Sequence, residues 1–150
     1  MSYLQLLYHL VFRPKNSSPV ISIEHEEKLY RYIWGYVKEK GGILYRINGM
    51  PDHIHLFVQI PPTITLSDFM RGLKTSSNKF LKEHPAEFPN FKGWGKSYCA
   101  ITHSALEKEK IINYIKGQKE HHKRVNFHDE LLAILQENNI KVDMQYFLNE

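Results

Sequence analysis

Residues 43–60, ILYRINGMPDHIHLFVQI, decide the reading of this chain. ILYRI (43–47) runs into Asn48-Gly49, a dipeptide suited to tight hairpins, and HIHLFVQI (53–60) follows at once. The two apolar runs are therefore predicted to pair antiparallel. Within the second run, Ile54, Leu56, Val58 and Ile60 alternate onto one face suited to a core. His53, His55, Phe57 and Gln59 must then share the opposite face. Two imidazoles there stand near enough to hold one divalent ion. They are also compatible with structural side chains that merely find hydrogen-bond partners, and two ligands do not define a site.

Upstream, residues 3–13 (YLQLLYHLVFR) form an aromatic and aliphatic run closed by Pro14, which predicts a first strand. Ser22 offers an N-cap, with Glu24, Glu26 and Glu27 in the first turn. Leu29, Ile33 and Val37 recur at helical spacing before Gly41-Gly42. Downstream, Pro61-Pro62 ends the hairpin, and Leu66, Phe69, Met70, Leu73 and Phe80 mark a second helix that stops before Pro85. A Pro, Gly and aromatic loop spans 84–95. SYCAITHSAL (97–106) is a predicted fourth strand, and EKEKIINYIKGQKEHHK (107–123) a basic third helix. FHDELLAILQENN, from an Asn126 cap, is a predicted last helix.

The order strand, helix, strand, strand, helix, strand, followed by extra helices, predicts an α+β fold. It is the split β-α-β pattern of a ferredoxin-like sandwich, with an antiparallel sheet and additional C-terminal helices, in one domain over 1–150. Two crossover helices cover one sheet face; the C-terminal helices are available for the other.

The 150 residues suffice for a core without disulfides. No apolar run approaches the ~20 residues of a membrane span, and the N-terminus shows no secretory leader pattern, so a soluble cytoplasmic protein is expected. The single cysteine, Cys99, excludes an internal disulfide and a cysteine zinc cage; it is expected to act as a small hydrophobe. The net charge of +4 is unevenly placed: residues 66–124 carry 12 Lys/Arg against 6 Asp/Glu. That bias fits either a solvated helical surface or the footprint of a polyanion.

On the third predicted helix Tyr114 and Gln118 stand four apart and so share a face. Tyr114 could equally pack with Ile111 and Ile115. Beside a histidine pair, however, a phenol can attack a phosphodiester, a reaction that needs charge neutralised on phosphate more than it needs an acid–base dyad. Two imidazoles and an amide oxygen would hold Mg²⁺ or Mn²⁺ with positions left open for phosphate oxygens. A phenol pKa near ~10 requires assistance, and no proton acceptor is evident.

MPDHIHL (50–56) and NYIKGQ (113–118) together resemble the single-tyrosine HUH transposases, the small transposases of minimal bacterial insertion sequences and their repetitive-element-associated relatives. Weaker echoes run from YHLVFRPK through RGLKTSSNKFL and WGKSYCAIT to HHKRVNFHDEL. The resemblance implies that Tyr114 attacks single-stranded DNA, forming a 5′-phosphotyrosine and freeing a 3′-OH, with His53, His55 and Gln118 holding the metal. Asp52 is a further candidate for assisting there. It also implies hairpin-marked DNA ends as partner, and a homodimer in which the Tyr114 helix of one chain could complete the histidine site of the other. Two positions depart from the family pattern: Pro14 stands where threonine is usual, and AITHS lacks a common glycine.

Arg71, Lys74, Lys79, Lys92, Lys96, Lys116, Lys119, Lys123 and Arg124 are candidate phosphate contacts, and Phe91 and Trp94 candidate stacking residues. Individually, each also fits an ordinary surface or core role. His121-His122 could be read as further metal ligands, but exposed polar residues are the expectation. Three functions remain open on the sequence. They are a DNA strand transferase (still mobile or host-retained), a catalytically silent nucleic-acid-binding module, and a metal hydrolase that activates water and leaves no adduct.

Overall fold

The computed structural model describes residues 2–143. Its elements run β1 (Leu7–Phe12), α1 (Glu26–Glu39), β2 (Ile43–Met50), β3 (His53–Gln59), α2 (Leu66–Lys82), β4 (Cys99–His103), α3 (Lys108–Lys116), α4 (Gln118–His121) and α5 (Phe127–Glu137). The four strands form one antiparallel sheet in the order β2-β3-β1-β4. This is the expected split β-α-β topology, with three helices added after β4.

The alternation in β3 sorts the layers as expected. Ile54, Leu56 and Val58 join Leu10 and Phe12 of β1 in the main core, where α1 supplies Leu29, Ile33 and Val37 and α2 supplies Phe69, Met70 and Leu73. Phe57 and Leu7 face the other way, into a smaller cluster with Ile111 and Ile115 of α3. The face left open by the crossover helices is thus covered by the C-terminal helices.

Several local boundaries differ from the sequence reading, and both outer predicted strands shorten, β1 to Leu7–Phe12 and β4 to Cys99–His103. Asn48-Gly49 does not make the hairpin turn; both lie inside β2, and the chain reverses at Pro51-Asp52. Asn48 uses its side chain instead to accept Lys119 Nζ at 2.8 Å and to donate to the Lys116 carbonyl, docking the following helices. Helix α1 starts at Glu26 rather than at Ser22, whose hydroxyl accepts the His25 N–H in a preceding turn. The predicted third helix breaks at Gly117 into α3 and α4. By contrast, α2 keeps its expected span, capped by Thr65, and Asn126 caps α5 by accepting the Asp129 N–H at 2.8 Å.

The α1–α2 contact is close. Tyr36 donates its hydroxyl proton to the Phe69 carbonyl at 2.9 Å, and a Cβ placed on Gly72 would overlap that hydroxyl. Gly72→Ala gains about 1 kcal/mol of helix propensity but forces the ring aside, an overpacking cost of about 1–3 kcal/mol. In urea unfolding Gly72→Ala is expected to lower stability, and adding Tyr36→Phe to recover it. Stabilisation by Gly72→Ala alone would contradict this packing.

Candidate active site

Pairing places the chemistry on the α3–α5 face. His55 lies opposite Val11, His9 opposite Phe57 and Ile101, and Leu7 opposite His103, so all share one side of the sheet. His53 and His55 are completely buried, but beneath the C-terminal helices and not inside the main hydrophobic core. The His53 ring stacks on Phe127 of α5 with centroids 4.2 Å apart.

Above them, α3 and α4 deliver Tyr114 and Gln118. Helix α4 is fastened by Lys119, whose Nζ donates to Gly49 O at 2.6 Å, Asn48 Oδ1 at 2.8 Å and Glu26 Oε2 at 3.0 Å. The clamp ties α4 to β2 and to the start of α1. It brings Gln118 over the strand, its Oε1 3.0 Å from His53 Nε2.

At the centre lies a residue the sequence reading missed, Glu130 of α5, which is 2% exposed. Its Oε1 stands 2.9 Å from His122 Nε2, 3.1 Å from His55 Nε2 and 3.2 Å from His53 Nε2. Its Oε2 accepts the Gln118 side-chain N–H at 2.7 Å and the Tyr114 hydroxyl proton. The four expected residues therefore converge in one chain, around a carboxylate. Glu130 was legible as an anomaly: with Phe127 and Ile134 it sits on the buried side of α5, where an acid needs partners. His122 was legible by spacing, because it follows Gln118 by four as Gln118 follows Tyr114. The expectation of an exposed His121-His122 is corrected for both: the His122 side chain is 5% exposed, and His121 is half-buried beside Glu130.

The remote ring nitrogens are also held. His53 Nδ1 is 2.8 Å from Asp52 Oδ1, and His55 Nδ1 is 2.8 Å from His9 Nε2. Burial opposes charge on His53, but its bonds to Asp52 and Glu130 prevail and push it up to about 9. Burial lowers His55, despite the nearby Glu130. Burial, then the neighbouring His55 and His103, lowers His9 to about 3. Burial alone would raise Glu130; hydrogen bonds from His122, His53 and His55 outweigh it and hold the carboxyl well below the usual carboxylate range. Tyr114 is pushed well above the usual phenol range by burial, then by its bond to Glu130. The site therefore joins an ionised carboxylate and a protonated His53 to the neutral imidazole of His55, with a neutral phenol at its edge. A cleft of about 620 Å³, lined by His9, His103, Lys110, Tyr114, His121 and Glu130 among others, opens beside that phenol.

The candidate DNA-contact residues divide between the two sides of the sheet. Arg71 and Lys79 lie on α2, across the sheet, beside Asp68 and Glu83. Lys74 donates to the Gly95 and Ser97 carbonyls, fastening the long loop. Trp94 donates its indole N–H to Ser77 and packs against Phe12 and Phe91, and Phe91 is itself buried, so both rings serve the core. Lys92 is exposed on the loop. On the active-site side Lys116, Lys123 and Arg124 are exposed, Lys123 beside Glu120. Cys99 is half-buried, and burial pushes its thiol up to about 11.

A family model described as "Transposase IS200 like" matches residues 2–118, and the chain belongs to that family of transposases. Relatives include the ISDra2 transposase TnpA of Deinococcus radiodurans, 29% identical over 118 residues, covering 76% of this chain and 84% of the relative. The transposase of insertion sequence element IS200 from Salmonella typhimurium is 29% identical over 120 residues, covering 77% and 78%. Among solved structures, a candidate transposase from Deinococcus radiodurans superposes with TM-score 0.61 at 28% identity, over 78% of this chain and 93% of the other. A REP-associated tyrosine transposase bound to a REP hairpin shares the fold, with TM-score 0.60 at 14% identity over 83% and 73%. Among the described residues, no helix is long and apolar enough to cross a membrane.

Lys119, expected from the sequence to contact phosphate, instead holds α4 in place. Lys119→Met is expected to cost about 1–3 kcal/mol in urea unfolding, because it removes the cation that Glu26, Asn48 Oδ1 and Gly49 O share. Lys123→Ala should stay within about 0.5 kcal/mol. Equal, negligible effects would contradict the clamp.

Proposed function

We propose that this transposase cleaves and rejoins single-stranded DNA at hairpin-marked ends through a 5′-phosphotyrosine on Tyr114. The observation that carries the reading is the convergence of the Tyr114 hydroxyl with His53, His55 and Gln118 around Glu130. The phenol oxygen forms a bond to phosphorus while the bond from phosphorus to the 3′ oxygen breaks. The Tyr114 proton passes to Glu130 Oε2, and the departing 3′ oxygen takes up one proton in exchange. Glu130, too acidic to keep that proton, serves as its relay away from the phenol, a path the sequence did not reveal.

His53, His55 and Gln118 have the donor set to hold Mg²⁺ or Mn²⁺, which would polarise the phosphate and fix it in line. The fit rests on the imidazole Nε2 atoms, which already point at one negatively charged oxygen. Asp52 assists by holding His53 through its remote nitrogen. Lys116, Lys123 and Arg124, exposed on α3 and just past α4, suit phosphates flanking the cleaved bond. Because Tyr114 reaches the histidines of its own chain, each subunit of a homodimer would carry a complete site. The hairpin preference is supported by the hairpin-bound neighbour of the same fold.

The test is incubation of a labelled single-stranded hairpin oligonucleotide with the protein and Mn²⁺. A covalent protein–DNA adduct that survives denaturing electrophoresis is expected, and Tyr114→Phe should reduce it by several orders of magnitude. Cleavage without adduct would identify a water-activating hydrolase instead. Binding without cleavage would identify a silent binding module.

A further inference from the structure

We propose that His122 and Glu130 are themselves metal ligands, so that the cation site is built from three imidazoles and one carboxylate, with Gln118 alongside. This rests on the metal-assisted reading above and extends it. Both residues lie beyond 118, outside the segment matched to the family.

The geometry is that of a tripod. The Nε2 atoms of His53, His55 and His122 all lie within 2.9–3.2 Å of one oxygen, Glu130 Oε1. One ligand atom from each of these four residues falls within 4.8 Å of the others, close enough for a single ion to reach them all. Imidazole rings from two separate elements aim at one point, and a divalent cation placed there would take their nitrogen lone pairs and the carboxylate oxygen together, releasing any proton between them.

The surroundings are also those of a ligand set. Metal-bound histidines ordinarily have the other ring nitrogen held by a carboxylate, carbonyl or similar partner, which fixes ring orientation. Asp52 does this for His53 and His9 does it for His55. The His9 pairing tolerates either tautomer of His55, since a neutral imidazole both donates and accepts. His55 can thus present a lone pair at Nε2 without losing its partner. Lys119 fixes α4, and the Asn126 cap fixes the start of α5, so the two added ligands stand on anchored backbone.

Donor chemistry then sets selectivity. Three imidazoles favour Mn²⁺, Co²⁺ or Zn²⁺ over Mg²⁺, which prefers oxygen ligands and retains its waters. With Oε1 on the cation, Oε2 still faces Tyr114 and Gln118.

Pulsed electron paramagnetic resonance on the full chain loaded with Mn²⁺ counts coupled imidazole nitrogens without any substitution. Three are expected, falling to two in His122→Ala. Titration calorimetry with Co²⁺ should show at least a tenfold loss of affinity in Glu130→Gln and in His122→Ala, with a large excess of Mg²⁺ failing to compete. Two nitrogens in the unmodified protein, unchanged in His122→Ala, would overturn the inference while leaving His53 and His55 as ligands. No coupled nitrogens at all would overturn the metal-assisted reading and the inference together.

Discussion

A single buried carboxylate, Glu130, organises the active-site half of this protein. Its two oxygens collect donors from β3, α3 and α4: His53 and His55, the Tyr114 hydroxyl, and Gln118, with His122 just past α4. A lone buried carboxylate would be strongly unfavourable, so α5 can dock only where these groups already wait. The converse also holds. The imidazoles are fully covered by the helices above them and need an acceptor that water cannot supply. The C-terminal helices and the histidine strand therefore specify one another.

The rest of the fold serves that meeting point. The crossover helices fill the other sheet face and fix the strand register, and register decides that His9, His53 and His55 share a side. A slip of one residue in β3 would send both imidazoles into the main core. The Lys119 clamp then places α4 relative to β2, which is how a residue four positions after the phenol comes to lie on His53. Function as a member of the IS200-like transposases rests on this layering of an ordinary antiparallel sandwich under three short helices.

Much of this was legible in the sequence because it follows from periodicity. Alternation in HIHLFVQI assigned every residue of β3 to its correct face, and helical spacing put Tyr114 and Gln118 together. Misplaced features have a common cause, which is side chains recruited by partners distant in sequence. Asn48-Gly49 looked like a turn, yet Asn48 is held by Lys119, 71 residues away. Lys119 looked like a surface cation, yet it faces three acceptors. His122 was weighed as a metal ligand and set aside as exposed, and Glu130 drew no reading, because nothing local tells an acid on the buried side of a helix who its partners are. His9 was hidden in the same way, in a run read only as an apolar strand.

In the proposed reaction one chain supplies both the nucleophile and the histidines of a site. Mixing equimolar His55→Ala and Tyr114→Phe proteins with hairpin DNA and Mn²⁺ tests it directly, since each variant lacks one half of the site. If the site is built within a chain, the mixture forms no more covalent adduct than either variant alone. Restoration of adduct in the mixture would mean that Tyr114 acts on the partner subunit's histidines, and would contradict the arrangement described.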